Sequence, residues 1–343
     1  MIRQTPHSGY HWNGVQHPFF EGWYYRLTLP PDQGNQTIAF MYSLQNPGTT
    51  TPATGGAVQI LGPDEQYFYR SLPDISTFWA WKHKLGHGQS GRGAIQESYQ
   101  ATANLHTGQF LDPSNRRILR WHYTIEPLYT WGTPTPQSTA GWLSQLQIFE
   151  PGWQILMAHG WATGWFEWTT LERNPIHRFE FTKVPAYAEK NWGGAFPKKW
   201  FWIQCNAFDN EPDLTLTSGG GIRQVLGYHE SVGMVGIHYQ GKFYEFVPWN
   251  SQMSWQVSPW GDWRVWAENE HYRVEIVGKT ELDGVLIQVP TANGLEPICR
   301  DTTRGQLLVN LWKKSEPSLV MSAYSKQAGL EIGGYSWPQN WNV

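Results

Sequence analysis

The feature that most restricts how this chain can fold is an echo of its first half in its second. Gly55-Gly-Ala-Val-Gln-Ile-Leu-Gly62 reads against Gly220-Gly-Ile-Arg-Gln-Val-Leu-Gly227, sharing Gly, Gly, Gln, Leu and Gly. Upstream of each lies a Glu-then-Trp segment, Glu21-Gly-Trp-Tyr-Tyr25 and Glu189-Lys-Asn-Trp-Gly193. Downstream, Ile155-Leu-Met-Ala158 with Thr163-Gly matches Leu319-Val-Met-Ser322 with Ala328-Gly. Three matches in one order, at an offset of roughly 165 residues, point to duplication of one unit, because long periods rarely arise by chance. A chain of 343 residues is also too long for one ordinary core. We therefore expect domains at 1–173 and 174–343, with the boundary within Glu172–Ile176 at the Arg173-Asn174-Pro175 break.

Local patterning predicts an all-β fold, sandwich or barrel. Ile38–Leu44 alternates, with Ile38, Phe40, Tyr42 and Leu44 on one face. Trp121–Glu126, Ile155–Met157, Arg273–Val277 and Leu307–Trp312 read the same way. The 35 Gly and 23 Pro suit many turns and few long helices. One helix is predicted, Pro73–Leu85, with Pro at its start, Asp74 in its first turn and Gly86 past its end. Gly219-Gly-Gly221 reads as a tight turn, since no helix pattern and no Gly-Lys-Ser/Thr follows it. In Tyr187–Phe208 the second half alternates. Trp200, Trp202, Gln204 and Asn206 share one face, and Phe201, Ile203, Cys205 and Ala207 the other. Indoles mixed with amides suit the wall of a lined cavity, because an ordinary core avoids amides without partners.

Composition excludes some functions. The net charge of −3, with no Lys/Arg-rich run, argues against a nucleic-acid partner. Two cysteines, Cys205 and Cys299, supply neither a disulfide framework nor a metal spacing, and read as reduced thiols of a cytosolic compartment. No segment approaches 18 uninterrupted apolar residues, so membrane association is expected to be peripheral. The opening residues have neither signal-peptide nor transit-peptide character. The anomaly is aromatic: 22 Trp, 16 Tyr and 15 Phe, which fits a lectin-like sugar platform, an aromatic-lined lipid pocket or large β cores.

Several long strings narrow that choice. Pro6-His-Ser-Gly-Tyr-His-Trp12, Phe19-Phe-Glu-Gly-Trp-Tyr24, Ala39-Phe-Met-Tyr-Ser43, Phe78-Trp-Ala-Trp-Lys-His83, Phe149-Glu-Pro-Gly-Trp-Gln-Ile155 and Glu189-Lys-Asn-Trp-Gly-Gly194 resemble the tocopherol cyclase family in one continuous order. The resemblance covers essentially the whole chain. It implies two tandem lipocalin-like β-barrel or sandwich domains with at most a few short helices. It also implies closure of the chromanol ring of prenylated benzoquinols. The 2-methyl-6-phytyl quinol would give δ-tocopherol and its 2,3-dimethyl analogue γ-tocopherol, without redox cofactor or metal. Plant members carry plastid transit peptides, so this chain looks cyanobacterial, a cytoplasmic protein peripheral on a thylakoid-type membrane. The alternative reading is a non-catalytic lipocalin-like carrier of prenyl lipids.

Ring closure needs an acid that protonates the prenyl alkene, a wall that steadies the tertiary cation, and a phenolic oxygen already beside it. Glu21, on a strand face with Trp23 and Tyr25, is a candidate acid, since a carboxyl among aromatics has its pKa raised by desolvation. Its bland reading is a hydrogen-bonded carboxylate paired with an Arg such as Arg26. Glu189 is the second candidate acid, entering from what the repeat makes an equivalent position. Lys190 and Asn191 are candidates to orient the quinol oxygen, against a reading as a structural Glu189–Lys190 pair. His159 is the best placed histidine. Trp23, Tyr25, Trp161, Trp192, Trp200, Trp202 and Asn206 are the candidate substrate wall, because indoles both bury an isoprenoid tail and face a cation.

Overall fold

The structure is a computed structural model that describes residues 4–343 apart from 52, 94, 113, 115, 142–150, 171–176, 226, 227 and 317. Its only helices among the described residues are single 3₁₀ turns at Pro31–Gln33, Pro63–Glu65 and Ile75–Thr77. The other regular elements are antiparallel strands, and no helix of the described residues is long and apolar enough to cross a membrane. The chain divides into two compact units, one of residues 1–144, 152–195 and 290–295, the other of 145–151, 196–289 and 296–343.

The first unit is an eleven-stranded sheet. Its strands are β1 (Phe20–Thr28), β2 (Thr37–Gln45), β3 (Gly55–Leu61), β4 (Tyr67–Leu72), β5 (Trp79–Ala80), β6 (Gly86–Ser90), β7 (Ser98–Thr102), β8 (Leu105–Asp112), β9 (Arg117–Tyr129), β10 (Gly152–Thr170) and β11 (His177–Gly193). Their order is β4-β3-β2-β1-β11-β10-β9-β8-β7-β6-β5, so the last strand lies beside the first. Every second residue of β1 enters one core: Trp23, Tyr25 and Leu27 pack with Phe40, Trp121 and Phe166.

The second unit repeats the winding. It uses β12 (Lys199–Cys205), β13 (Thr215–Val225), β14 (Tyr228–Tyr239), β15 (Lys242–Phe246), β16 (Ser251–Val257), β17 (Asp262–Asn269), β18 (Tyr272–Lys279), β19 (Val285–Thr291), β20 (Gly294–Lys313), β21 (Ser318–Gly334) and β22 (Trp341–Asn342). Its order runs β15-β14-β13-β12-β21-β20-β18-β17-β16-β22, with β19 paired to β20. Phe201, Ile203 and Cys205 enter a second core with Trp255, Trp263 and Leu330. Alternation along β12 is as expected, and both of its faces are buried.

Four expectations are corrected. The division between units follows β11, which pairs with β1 through Gly193, so it falls near residue 195 rather than 173. The Arg173-Asn174-Pro175 break itself lies outside the described residues. The matched strings fall on strands that are not equivalent. The Gly55 string is the third strand of its sheet and the Gly220 string the second, while Ile155 lies on β10 and Leu319 on β21. The predicted helix 73–85 is one 3₁₀ turn followed by a strand. Asp74 accepts from Ser76 N at 3.1 Å and starts the turn, but Trp79 and Ala80 then pair with Gly88 and His87. The inward demand of Phe78 and Leu85, which pack on the core, outweighs a helical spacing. Gly219–Gly221 is strand, not turn: a Cβ on Gly220 would lie 2.4 Å from the ring of Phe201, so glycine is there to seat an aromatic.

Candidate functional site

In the first unit, Glu21 of β1 and Lys190 of β11 meet because the register pairs Glu21 with Trp192 and Trp23 with Lys190. Directly paired residues share a face, which puts all four on the core side. Glu21 and Lys190 are both fully buried, and the Lys190 ammonium donates to Glu21 Oε1. The segment before β1 folds over the pair. His11 N donates to Glu21 Oε2 at 2.8 Å, and Lys190 Nζ donates to Gly9 O at 2.7 Å and lies 3.1 Å from His11 Nδ1. Gly9 lets this segment lie against the backbone of residues 82–83, since a Cβ there would sit 2.0 Å from the Lys82 carbonyl oxygen. Trp192 stacks on His11 at 4.0 Å between ring centroids, with the ammonium 5.3 Å from the Trp192 centroid. A cavity of about 460 Å³ opens beside them, lined by residues 4–11, Lys82 and His83.

Electrostatics decide what this cluster can do. Burial pushes the Glu21 carboxyl up, but the Lys190 charge and the His11 hydrogen bonds together outweigh it, and the net shift is downward. Glu21 is therefore a carboxylate held by an ion pair, not the raised carboxylic acid expected of it, and its cationic partner is Lys190 rather than Arg26. Burial lowers Lys190 against the upward pull of Glu21, and lowers His7 to about 4, helped by the charges of His11 and Lys190.

Deeper in the same core lies a tyrosine–histidine network that sequence reading did not find. His87 stacks on Trp23 at 4.1 Å, and its Nε2 is 3.0 Å from Tyr25 Oη. His106 bridges Tyr42, at 2.6 Å, and Tyr123. Burial holds His106 down to about 3, drives His87 well below its ordinary value and pushes all three tyrosines up, so the network is neutral. His106 stands in an unremarkable L-H-T-G string, and only the fold, which pairs it with Tyr123 of β9 and packs it against Tyr42 of β2, brings it to the tyrosines.

The other expected residues scatter. Glu189 faces away from Lys190, as neighbours on a strand must, so the two form no pair; Glu189 instead accepts from Trp153 Nε1 at 3.0 Å and Tyr187 Oη at 2.5 Å. Nor does it mirror Glu21, since the two stand on adjacent strands of one sheet and on opposite faces. Asn191 shares the Glu189 face, paired to Gly22 and Trp153. His159 is buried on β10 beside Trp161, 4.7 Å between ring centroids, in a strand segment distorted by bulges.

Trp200 and Trp202 of β12 and Asn206 just past its end belong to the second unit, where the two indoles share a face with a carboxyl that sequence reading passed over. β12, β21 and β20 place Trp202, Glu331 and Asp301 in one cross-strand row, and Trp200, Gly333 and Cys299 in the next. Trp200 Nε1 donates to Glu331 Oε1, and the Cys299 thiol hydrogen-bonds the same carboxyl. Burial pushes Glu331 up, against the downward pull of these two hydrogen bonds, and the net shift is upward. Burial likewise raises Cys299 well above its ordinary value, so it remains a thiol and a donor. The available signal was a lone carboxyl in the apolar, glycine-containing string A-G-L-E-I-G-G.

Residues 17–334 match the family model described as tocopherol cyclase-like. The probable chloroplastic tocopherol cyclase of Oryza sativa subsp. japonica is 39% identical over 384 aligned residues, covering 98% of this chain and 80% of that protein. The chloroplastic tocopherol cyclase of Zea mays is 39% identical, covering 98% and 79%. Among solved structures, CghA superposes with a TM-score of 0.56 at 11% identity, covering 93% of this chain and 89% of that one. Kievitone hydratase from Nectria haematococca does so with 0.50 at 10%, covering 98% and 97%. At such identities these two share the fold alone, the lipocalin-like all-β class expected from sequence. The chain belongs to the tocopherol cyclase-like family.

Proposed function

We propose that this protein closes the chromanol ring of prenylated benzoquinols, converting 2-methyl-6-phytyl-1,4-benzoquinol to δ-tocopherol and its 2,3-dimethyl analogue to γ-tocopherol. The observation that carries this reading is the 39% identity to curated tocopherol cyclases along 98% of the chain. The chemistry is an isomerisation: a proton adds to the trisubstituted alkene, the phenolic oxygen bonds to the tertiary cation, and the phenol gives up its proton. Nothing is oxidised or reduced. The demand is for positioning, where oriented intramolecular reactions reach effective molarities of about 10⁵–10⁸ M, and for indole faces near the cation, each contributing about 0.5–2 kcal/mol. The same reading makes the protein peripheral on a membrane surface, since lipid holds the isoprenoid tail about as well as an apolar pocket does.

Anaerobic incubation of the purified protein with the dimethyl quinol in detergent or lipid, without cofactor, is expected to give γ-tocopherol. In deuterated water the product is expected to carry deuterium on the ring methylene next to the new quaternary carbon. Tight quinol binding with no chromanol formed would instead identify a prenyl-lipid carrier.

A further inference from the structure

The Glu21–Lys190 cluster and the tyrosine–histidine network of the first unit present no carboxylic acid among their described residues. Glu21 is a carboxylate in an ion pair, Lys190 is its cation, and His7, His87 and His106 are kept neutral by burial. The face of β12, β21 and β20 is different. Trp202 flanks Glu331 on one side and Asp301 on the other, in direct cross-strand pairs that bring Cβ atoms to about 5 Å. Asp301, Trp200 and Trp202 are buried, whereas Glu331 is only half-buried: its carboxyl is desolvated by the protein around it, yet part of the residue stays open to an incoming molecule. Gly333 leaves room for the Trp200 indole, whose Cζ2 lies 1.9 Å from where a Cβ would be, and so for the hydrogen bond that aims the carboxyl.

We propose that Glu331 is the proton donor of the cyclisation, with Trp200 and Trp202 as the indoles facing the developing cation and Asp301 as the second carboxyl of the pair. This rests on the cyclase reading above. The Glu331 O–H proton is transferred to the less substituted alkene carbon, whose π electrons form the new C–H bond. A phenolic oxygen lone pair then forms the C–O bond, and the phenolic proton returns to the Glu331–Asp301 pair, restoring the acid. Asp301 stands directly opposite Glu331 in the cross-strand register, where a second carboxyl disfavours loss of the first one's proton. The upward shift of Glu331 has the sign an acid at neutral pH requires.

The test compares wild type with Glu331→Gln, Glu331→Asp and Asp301→Asn on the dimethyl quinol. Glu331→Gln is expected to lose at least about 100-fold in turnover while quinol binding, read by Trp fluorescence, stays within about twofold, as for loss of a general acid. Glu331→Asp is expected to recover part of the rate, and Asp301→Asn to change the pH profile. Should Glu331→Gln fail to fold, wild type alone decides: its rate is expected to fall as pH rises through the Glu331 pKa. A wild-type rate that rises with pH above the ordinary carboxylate range, or that stays flat until the protein unfolds, would overturn the assignment, as would Glu331→Gln turning over at the wild-type rate. A wild type that makes no chromanol under any condition sinks the cyclase reading instead.

Discussion

At the scale of single residues, the decisive distinction is between buried groups that are charged and paired and those kept neutral. Glu21 and Lys190 are the first kind. Removing one partner leaves the other charge buried and alone, so Lys190→Met is expected to lower unfolding free energy by about 3–5 kcal/mol in urea titrations. The double variant Glu21→Gln/Lys190→Met should recover part of that loss; strict additivity of the two single changes would show that the charges are not coupled. His106 is the second kind. Its folded pKa, about 3, lies below the ordinary 6.5, so the unfolded chain takes up a proton that the folded chain refuses. Stability is then lost as pH falls below 6.5 and levels off near 3. His106→Gln should flatten the dependence of unfolding free energy on pH in that window by about 1.4 kcal/mol per pH unit. An unchanged slope would contradict a neutral His106.

At the scale of elements, glycines set where strands let aromatics lie down. Gly220 seats Phe201 on the core side of β13, and Gly333 seats Trp200 on the opposite face of β21. Gly333→Ala forces Trp200 off its place and with it the hydrogen bond to Glu331. We expect about 1–3 kcal/mol of destabilisation from overpacking and a loss of turnover larger than the loss of folded protein explains. Activity per folded molecule equal to wild type would show that Trp200 has no part in aiming the carboxyl. Element type was readable where alternation was long, as at Thr37–Gln45 or Tyr272–Lys279. It was misread at 73–85 because helical spacing and a Pro–Gly frame are local signals, whereas the strand at Trp79–Ala80 exists only through its pairing with β6.

At the scale of the whole molecule, two sheets wind the same way, each bringing its last long strand back beside its first. The repeat in the sequence announced two such units but joined the wrong strands, since glycine-rich strings recur wherever a sheet must seat aromatics. Ownership of β11 is the consequence to measure. In native-state hydrogen exchange of the full chain, the amides of Ala186 and Ala188 should share the protection of β1, to which they pair, and not that of β12. Exchange in step with β12 would move the division back toward the expected boundary.

The sequence alone determined the all-β class, the existence of two units, the faces of β1 and β12 and the family, because each is written in short-range periodicity or in long strings of residue identity. It also named Glu21, Lys190, Trp23 and Trp192, which do meet. What it could not contain is pairing across the sheet. Whether Glu21 is an acid or a salt-bridged carboxylate depends on Lys190, 169 positions away, and whether Glu331 is a surface charge or a raised carboxyl depends on burial that outweighs its hydrogen bonds from Trp200 and Cys299. Protonation state is a property of the environment, and only the tertiary structure assembles that environment.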